Sequence, residues 1–474
     1  MVILGAGIGG LVAAFELERA GHRCIILEAS SRPGGRSLTV RAGDRIDELG
    51  NPQVCGFDDH PNLYFNCGPA RIPADHRRIL NYCRELGVEL ELFVNENRNA
   101  WVHDENAFDG KPVRNRHFVT DARGFLAELS SKYVLSDSLG KNFDGLDAEK
   151  LLEFLRAFGD LAPDRVYRGS ARAGHVSGGM VVPAVSRGLL DVNEMLKSQF
   201  WRRGMHFGEG ESQAAPMMQP VGGMDQIVRA FARKLRTSIT IDARVRAISL
   251  KDEGVEIEYV RHGTRERIVA DYCMNSIPSH LLAGIENNFP PDYAQALAAI
   301  PRGRLFKIGL QASRRFWEDE DIYGGITWTS QDITQIWYPP HGIFTEKGIL
   351  LGAYTFGDEG GTQLAKLPHA DRIELAIRQG SRIHPNYREH IETGVSVAWH
   401  RMNHMLGCSA RWDDELHQRY FDLLQQPTGR HYLIGDQTSL HPGWQEGAIA
   451  SAQHAVADVG RRLSGESARV SDNV

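Results

Sequence analysis

The first thirty residues, MVILGAGIGGLVAAFELERAGHRCIILEAS, leave the chain few ways to fold. An apolar run leads into Gly5, Gly7 and Gly10, spaced G-x-G-x-x-G. A helical stripe of Leu11, Ala14, Phe15 and Leu17 follows, then a stop at Gly21 and a second apolar run. The order is strand, turn, helix, strand. The three glycines act differently. Gly5 makes the tight turn, Gly7 lets the backbone approach a pyrophosphate, and Gly10 lets the helix pack on the strand. A diphosphate would rest on the helix N-terminus, where unpaired N–H groups and the helix dipole favour anions. Glu28 lies eighteen residues after Gly10, at the end of the second strand, where it can accept hydrogen bonds from ribose hydroxyls. A plain glycine-rich turn would not need that acid at that spacing.

The chain has 474 residues, too many for one ordinary core, so two or three lobes are expected. Apolar residues make up 42% and charged residues 24%, the balance of a soluble globular protein. A net charge of −6 argues against a nucleic-acid partner. No apolar run approaches the roughly 20 residues of a transmembrane helix. Six cysteines (24, 55, 67, 83, 273 and 408) are scattered without C-x-x-C spacing. Neither a metal site nor a disulfide framework is expected, which fits a reducing, cytoplasmic setting. No secretory leader is visible, although the chain starts almost inside its first strand and a leader could precede it.

Further along, residues 75–87 form an amphipathic helix pattern with Asp75 as N-cap, Ile79, Cys83 and Leu86 on one face, and Gly87 as the stop. Residues 120–200 carry helical patterns such as DAEKLLEFLRAFG. From 239 the pattern turns to short strands, with turns at Asp252–Gly254 and His262–Gly263. More strand pattern fills 304–357, HYLIGD ends a strand, and 446–463 reads as a closing helix before a polar tail expected to be disordered.

Residues 28–37, EASSRPGGRS, extend the opening motif. This stretch resembles the E-A-x-x-R-x-G-G-R fingerprint of the flavin amine oxidase family, an extension that NAD-dependent Rossmann enzymes lack. The resemblance implies FAD, with Ala29, Gly34 and Gly35 close to it and Arg36 facing the pyrophosphate and flavin. It returns in YLIGDQTSLHPGWQEGAIASA (432–452), which is similar to the family's C-terminal flavin motif. By that similarity Gly435 and Asp436 contact the ribityl-phosphate part, Gly443 and Trp444 lie beside the isoalloxazine, and Gly447 and Ala448 open a helix near its pyrimidine edge. PVGGMDQIV (220–228) resembles the return to the FAD domain, and Val245 falls where the family pairs its backbone with adenine.

NCGPARIP (66–73) resembles the G-P-x-R-[LI]-P segment of the L-amino-acid oxidase branch. There the arginine grips the substrate α-carboxylate, so Arg71 takes that role by resemblance, with Ala70 beside it at the cofactor. A guanidinium suits this role because its planar fork offers two parallel donors and stays charged when desolvated. A structural ion pair is the alternative. Tyr338 in QIWYPPHG is the expected second carboxylate ligand; its neighbour Trp337 would face the other way on a strand, so one of the two points inward. Lys307 in RGRLFKIGL matches the family lysine that holds a water against flavin N5, against the alternative of an exposed edge lysine. His206 sits near the branch's active-site histidine, in a poorly matching local sequence. Cys408 falls where some amine oxidases tether FAD and where the amino-acid oxidases place an apolar pocket residue; the expectation is non-covalent FAD. One departure is a longer connection between Arg36 and Arg71, around 47–62, which could shape the substrate entrance.

The expected fold is α/β, with a discontinuous Rossmann-like FAD-binding domain (1–60, 218–300 and 413–474). A mixed α+β substrate-binding domain (61–120 and 301–412) and a helical subdomain (121–217) complete it. The implied activity is oxidative deamination of an L-α-amino acid by FAD and O2 to a 2-oxo acid, ammonia and hydrogen peroxide, in a homodimer. The rivals are a decarboxylating amino-acid 2-monooxygenase with an amide product, and an amine or polyamine oxidase.

Overall fold

The computed structural model describes residues 1–136 and 145–465; most of the polar tail lies outside them. Five parallel strands form the opening sheet, in the spatial order Ile239–Thr240, Ile25–Leu27, Val2–Leu4, Cys273–Asn275, His431–Leu433. They come from three stretches far apart in sequence. The helix Ile8–Arg19 follows the central strand and is buried along most of its length, so it reads as apolar on nearly every face. It crosses the closing helix Gln445–Leu463 closely: a Cβ on Gly9 would lie 3.3 Å from the Ala448 carbonyl. Leu11 and Val12 of one helix share a core with Ile449, Ala452 and Val459 of the other. Both helices therefore bring their N-termini to the C-terminal ends of the parallel strands.

The hairpins expected after 239 are present as Arg244–Lys251, Gly254–Arg261 and Thr264–Ala270, paired antiparallel. A second sheet of seven strands gathers residues 101–114 and 306–398. Its inner strands Phe306–Ala312 and Gly348–Thr355 are buried at every position.

The structure differs from the sequence expectation in four places. The helix Arg77–Leu86 packs into the core of the nucleotide-binding sheet through Ile79, Tyr82, Cys83 and Leu86 rather than into the substrate-binding part. Its N-cap is His76, not Asp75; the Arg78 and Ile79 amides donate instead to the Glu446 carboxylate of the closing helix, at 3.1 and 3.0 Å. The helical region starts at Asn115, and after the helices Asn115–Leu135 and Ala148–Gly159 most of 160–217 is irregular or short-turned. The long connection 47–62 contributes no residue to the main cleft. It covers the edge strand Ile391–Ala398, where Gln53 makes two bonds of 2.9 Å to the Ser396 backbone. Unpaired edge strands are liabilities, and this segment closes one.

Candidate active site

A cleft of about 590 Å³ runs from the glycine turn to the second sheet. Gly5, Gly7, Glu28, Ala29, Gly34, Gly35, Arg36, Ala70, Arg71, Val245, Gly435, Asp436, Gly443, Trp444, Ala448 and Cys408 all line it. Gly10 and Gly447 lie behind the wall as packing positions: added Cβ atoms would meet the Gly5 carbonyl at 2.0 Å and Ser439 Oγ at 2.2 Å. A Cβ on Gly7 would meet nothing within 4 Å and would stand in the cleft itself, where a cofactor's phosphates need room.

The polar groups suit a dinucleotide. The helix starting at Ile8 has no side-chain cap and no acid in its first turn, so its N–H groups remain available to an anion. Glu28 is anchored by Ala6 N–H (2.7 Å) and by Ser30 N–H and Oγ (2.9 and 2.8 Å), yet each carboxylate oxygen can accept more than one bond. Arg36 forks onto Asp436, which also accepts from Gly443 N–H at 2.7 Å. Arg302, absent from the sequence expectation, lines the same wall with a buried Nε that has no protein partner. A strand bulge follows Val245. Bare helix N–H groups, an unpartnered arginine atom and a glycine turn with open space fit FAD.

At the far end Arg71 is 7% exposed. Its Nη2 donates to Gln213 Oε1, its Nε is buried without a partner, and its Cζ sits 4.6 Å from the Trp337 ring centroid and 5.6 Å from that of Trp444. Burial lowers its pKa to about 10, so it stays charged at neutral pH. Among the described residues, no carboxylate lies within ion-pair distance of it.

The loop that carries Arg71 is held by close contacts. A Cβ on Gly68 would lie 1.9 Å from the Arg36 carbonyl, so only glycine allows that approach. Lys307 Nζ donates to the Gly68 and Asn66 carbonyls, at 2.6 and 3.3 Å, and Trp399 Nε1 donates to the Cys67 carbonyl at 2.9 Å. The loop carrying Arg71 is thus pinned from below. Lys307 is 1% exposed, and its ammonium lies 4.5 Å from the Tyr354 ring centroid. Burial, helped by the charge on Arg71, pushes it down to about 7.

Lys307 and Trp337 stand behind the cleft wall, against the loop and side chain of Arg71, and two further expected site residues lie elsewhere. Tyr338 points into the core of the second sheet, its hydroxyl bonded to Thr327 Oγ1 (2.8 Å) and His384 Nε2 (2.7 Å). Strand alternation turns Trp337 towards Arg71 instead. The tyrosine that lines the cleft is Tyr354, packed edge-on to Trp337 at 5.2 Å. His206 is exposed and paired with Glu209 at 2.9 Å; its neighbour Phe207 faces Arg71. Sequence patterns point to none of Tyr354, Gln213 and Arg302. Tyr354 sits on a strand buried on both faces, so no polar-apolar alternation marks it.

Cys408 is half-buried, and its carbonyl accepts from Arg36 Nη1 at 3.1 Å. All six cysteines are free. Among the described residues no cluster of metal-ligating side chains occurs, and no helix is long and apolar enough to cross a membrane.

Comparison with known proteins bears on the fold and the family. L-amino-acid oxidase of Demansia vestigiata is 28% identical over 97% of this chain and 86% of its own; that of Daboia russelii is 29% identical over 97% and 89%. A putrescine oxidase bound to putrescine superposes with a TM-score of 0.65 at 18% identity, covering 97% of this chain and 98% of that one. Cyclohexylamine oxidase from Brevibacterium oxydans gives 0.64 at 17% identity, covering 98% and 99%. These two structures share the fold. The family model of flavin containing amine oxidoreductases matches residues 8–460, and the chain belongs to that family, with FAD as its cofactor.

Proposed function

We propose that this protein is an L-amino-acid oxidase, converting an L-α-amino acid to its 2-oxo acid, ammonia and hydrogen peroxide. The observation that carries this reading is Arg71, a buried cation on the cleft wall with no acid among the described residues to neutralise it. A substrate carboxylate supplies the missing charge. The guanidinium edge donates two parallel N–H bonds to it, and such charge-assisted pairs are the strong ones. Burial keeps the Tyr354 hydroxyl protonated, its pKa held well above the ordinary value, so it is a standing donor beside Arg71. Gln213 fixes one arm of the guanidinium, and Trp337 and Trp444 wall it in. Holding the carboxylate fixes which face of Cα is presented, and positioning of this kind supplies much of the rate.

Gly7, Glu28, Arg36, Arg302 and the N-termini of the two helices would hold FAD, which supplies two-electron acceptance from Cα–H and return of those electrons to O2. Lys307 keeps the Arg71 loop in register with that site through the Gly68 and Asn66 carbonyls. The released imino acid hydrolyses in water to the oxo acid and ammonia. We take the flavin to be non-covalent: burial pushes the Cys408 thiol up, keeping it neutral, and its backbone already serves Arg36.

Anaerobic mixing with L-amino acids, their D-enantiomers and the matching decarboxylated amines tests the reading. Flavin absorbance is expected to bleach with L-amino acids alone. Arg71→Met is expected to raise KM for them at least about 100-fold, in line with roughly 3 kcal/mol for losing one partner of a buried charge pair. Bleaching by amines, unchanged in Arg71→Met, would assign Arg71 to structure and the protein to amine oxidation. An amide product without peroxide would indicate monooxygenation.

A further inference from the structure

A second cavity, of about 200 Å³, shares no residue with the cofactor cleft. Four arginines line it: Arg98, Arg116, Arg123 and Arg172. Arg116 and Arg123 are seven positions apart on the helix Asn115–Leu135, two turns along one face. Arg172 comes from the turn after the helix Ala148–Gly159 and holds that helix's end, donating to the Phe158 and Ala157 carbonyls at 3.0 and 3.1 Å. Arg98 enters from the loop below, paired with Glu96 at 2.8 Å and donating to Asn115 Oδ1 at 3.2 Å.

The charges do not balance. Glu96 is the one carboxylate within ion-pair distance of any of the four among the described residues. Arg116 has a buried Nε without a partner, and Arg123 meets the face of Phe158, 5.8 Å away. Arg187 adds another buried, unpartnered Nε beside Gly174, where the Arg116 side chain also passes. Arg123 and Arg172 are exposed and Arg98 and Arg116 partly buried, so an anion in the hollow would relieve the repulsion that water leaves unscreened. Arginine forks match the oxygens of a phosphoryl group in pairs, and the Thr120 hydroxyl on the same wall adds a further donor or acceptor.

We propose that this pocket binds a phosphate-class oxyanion, either free phosphate or the phosphoryl group of a small monoester. Its volume is below the usual range for a whole drug-sized ligand, which restricts the occupant to the charged group and little more. The bound anion ties together three segments that meet around the arginines: the loop at 98, the helix starting at Asn115 and the end of the helix Ala148–Gly159.

The test is calorimetric titration of inorganic phosphate into FAD-loaded enzyme at fixed ionic strength, with chloride as the balancing salt. FAD occupies the other phosphate-binding surface. One saturable site is expected. Arg123→Gln, at an exposed side chain, and Arg116→Gln are each expected to weaken it at least tenfold while kcat is retained. Arg71→Met is expected to leave it unchanged, which separates this pocket from the substrate site. Glycerol phosphate binding more tightly than phosphate would identify a monoester as the occupant; equal or weaker binding would identify free phosphate. Absence of a saturable site, or equal affinity in wild type, Arg123→Gln and Arg116→Gln, would overturn the proposal.

Discussion

Two tyrosines sixteen positions apart separate structure from chemistry at the level of single residues. Tyr354 lines the cleft near Arg71, whereas the Tyr338 hydroxyl is spent on Thr327 and His384. Tyr354→Phe is expected to raise KM for L-amino acids several-fold with little loss of stability. Tyr338→Phe is expected to leave KM alone and to cost about 1–3 kcal/mol of stability, because it strands buried partners. Steady-state kinetics and denaturant unfolding of both variants distinguish the roles. Lys307 makes a pH-dependent contribution. Its folded pKa of about 7 lies below the unfolded value of about 10.4, so between these limits the unfolded chain binds more protons. Stability therefore rises with pH from about 7 to about 10. The difference in Tm between wild type and Lys307→Met is expected to shift in favour of wild type between pH 7 and 9.

Among the elements, the connection 47–62 shows how a loop can serve a sheet. Glu48 and Arg372 form an ion pair with both side chains fully buried, at 2.7 Å. Arg372 also donates to Ser396 Oγ and to the Ala365 and Leu367 carbonyls, while Glu48 accepts from Ala398 N–H at 3.0 Å. Glu48→Gln would leave a buried guanidinium without its counter-charge. A loss of about 3–5 kcal/mol is expected, visible as a lower unfolding midpoint in denaturant. The Glu446 cap on the helix Arg77–Leu86 is a similar long-range device. No local spacing rule could find either one. Asp75 is the better N-cap by sequence, because capping rules see only neighbours along the chain, and it loses to a carboxylate supplied across the core.

For the whole molecule, the cofactor cleft is lined by segments that begin, interrupt and end the chain. Non-covalent binding predicts that acid precipitation releases the yellow flavin into the supernatant; colour retained in the pellet, and lost in Cys408→Ala, would reveal a tether. Much of this large-scale plan is legible along the chain. The spacing of Gly5, Gly7 and Gly10, the acid at Glu28 and the motif around Trp444 depend on backbone geometry that few residue types allow, and such positions speak through identity alone. The same holds for Arg71, set beside a glycine that must touch the Arg36 backbone.

Residue order is enough to place the nucleotide-binding turn, the opening and closing helices, the strand-rich stretches after 239 and 304, and the arginine of the cleft wall; the helices Asp225–Lys234, Pro291–Ala299, His369–Gly380 and Asp414–Gln425 are not marked in it. The closed fold is needed to decide which aromatic ring faces that arginine, which tyrosine stands beside it, and where His206 lies. It also decides what caps the helix Arg77–Leu86 and what the connection 47–62 covers. The physical reason is common to all of these. Glycine turns and helix periods follow from local sterics, which neighbouring residues state directly. The facing of a side chain on a strand buried on both sides, and the partner of a charge hundreds of residues away, depend on packing that exists only once the sheets have closed.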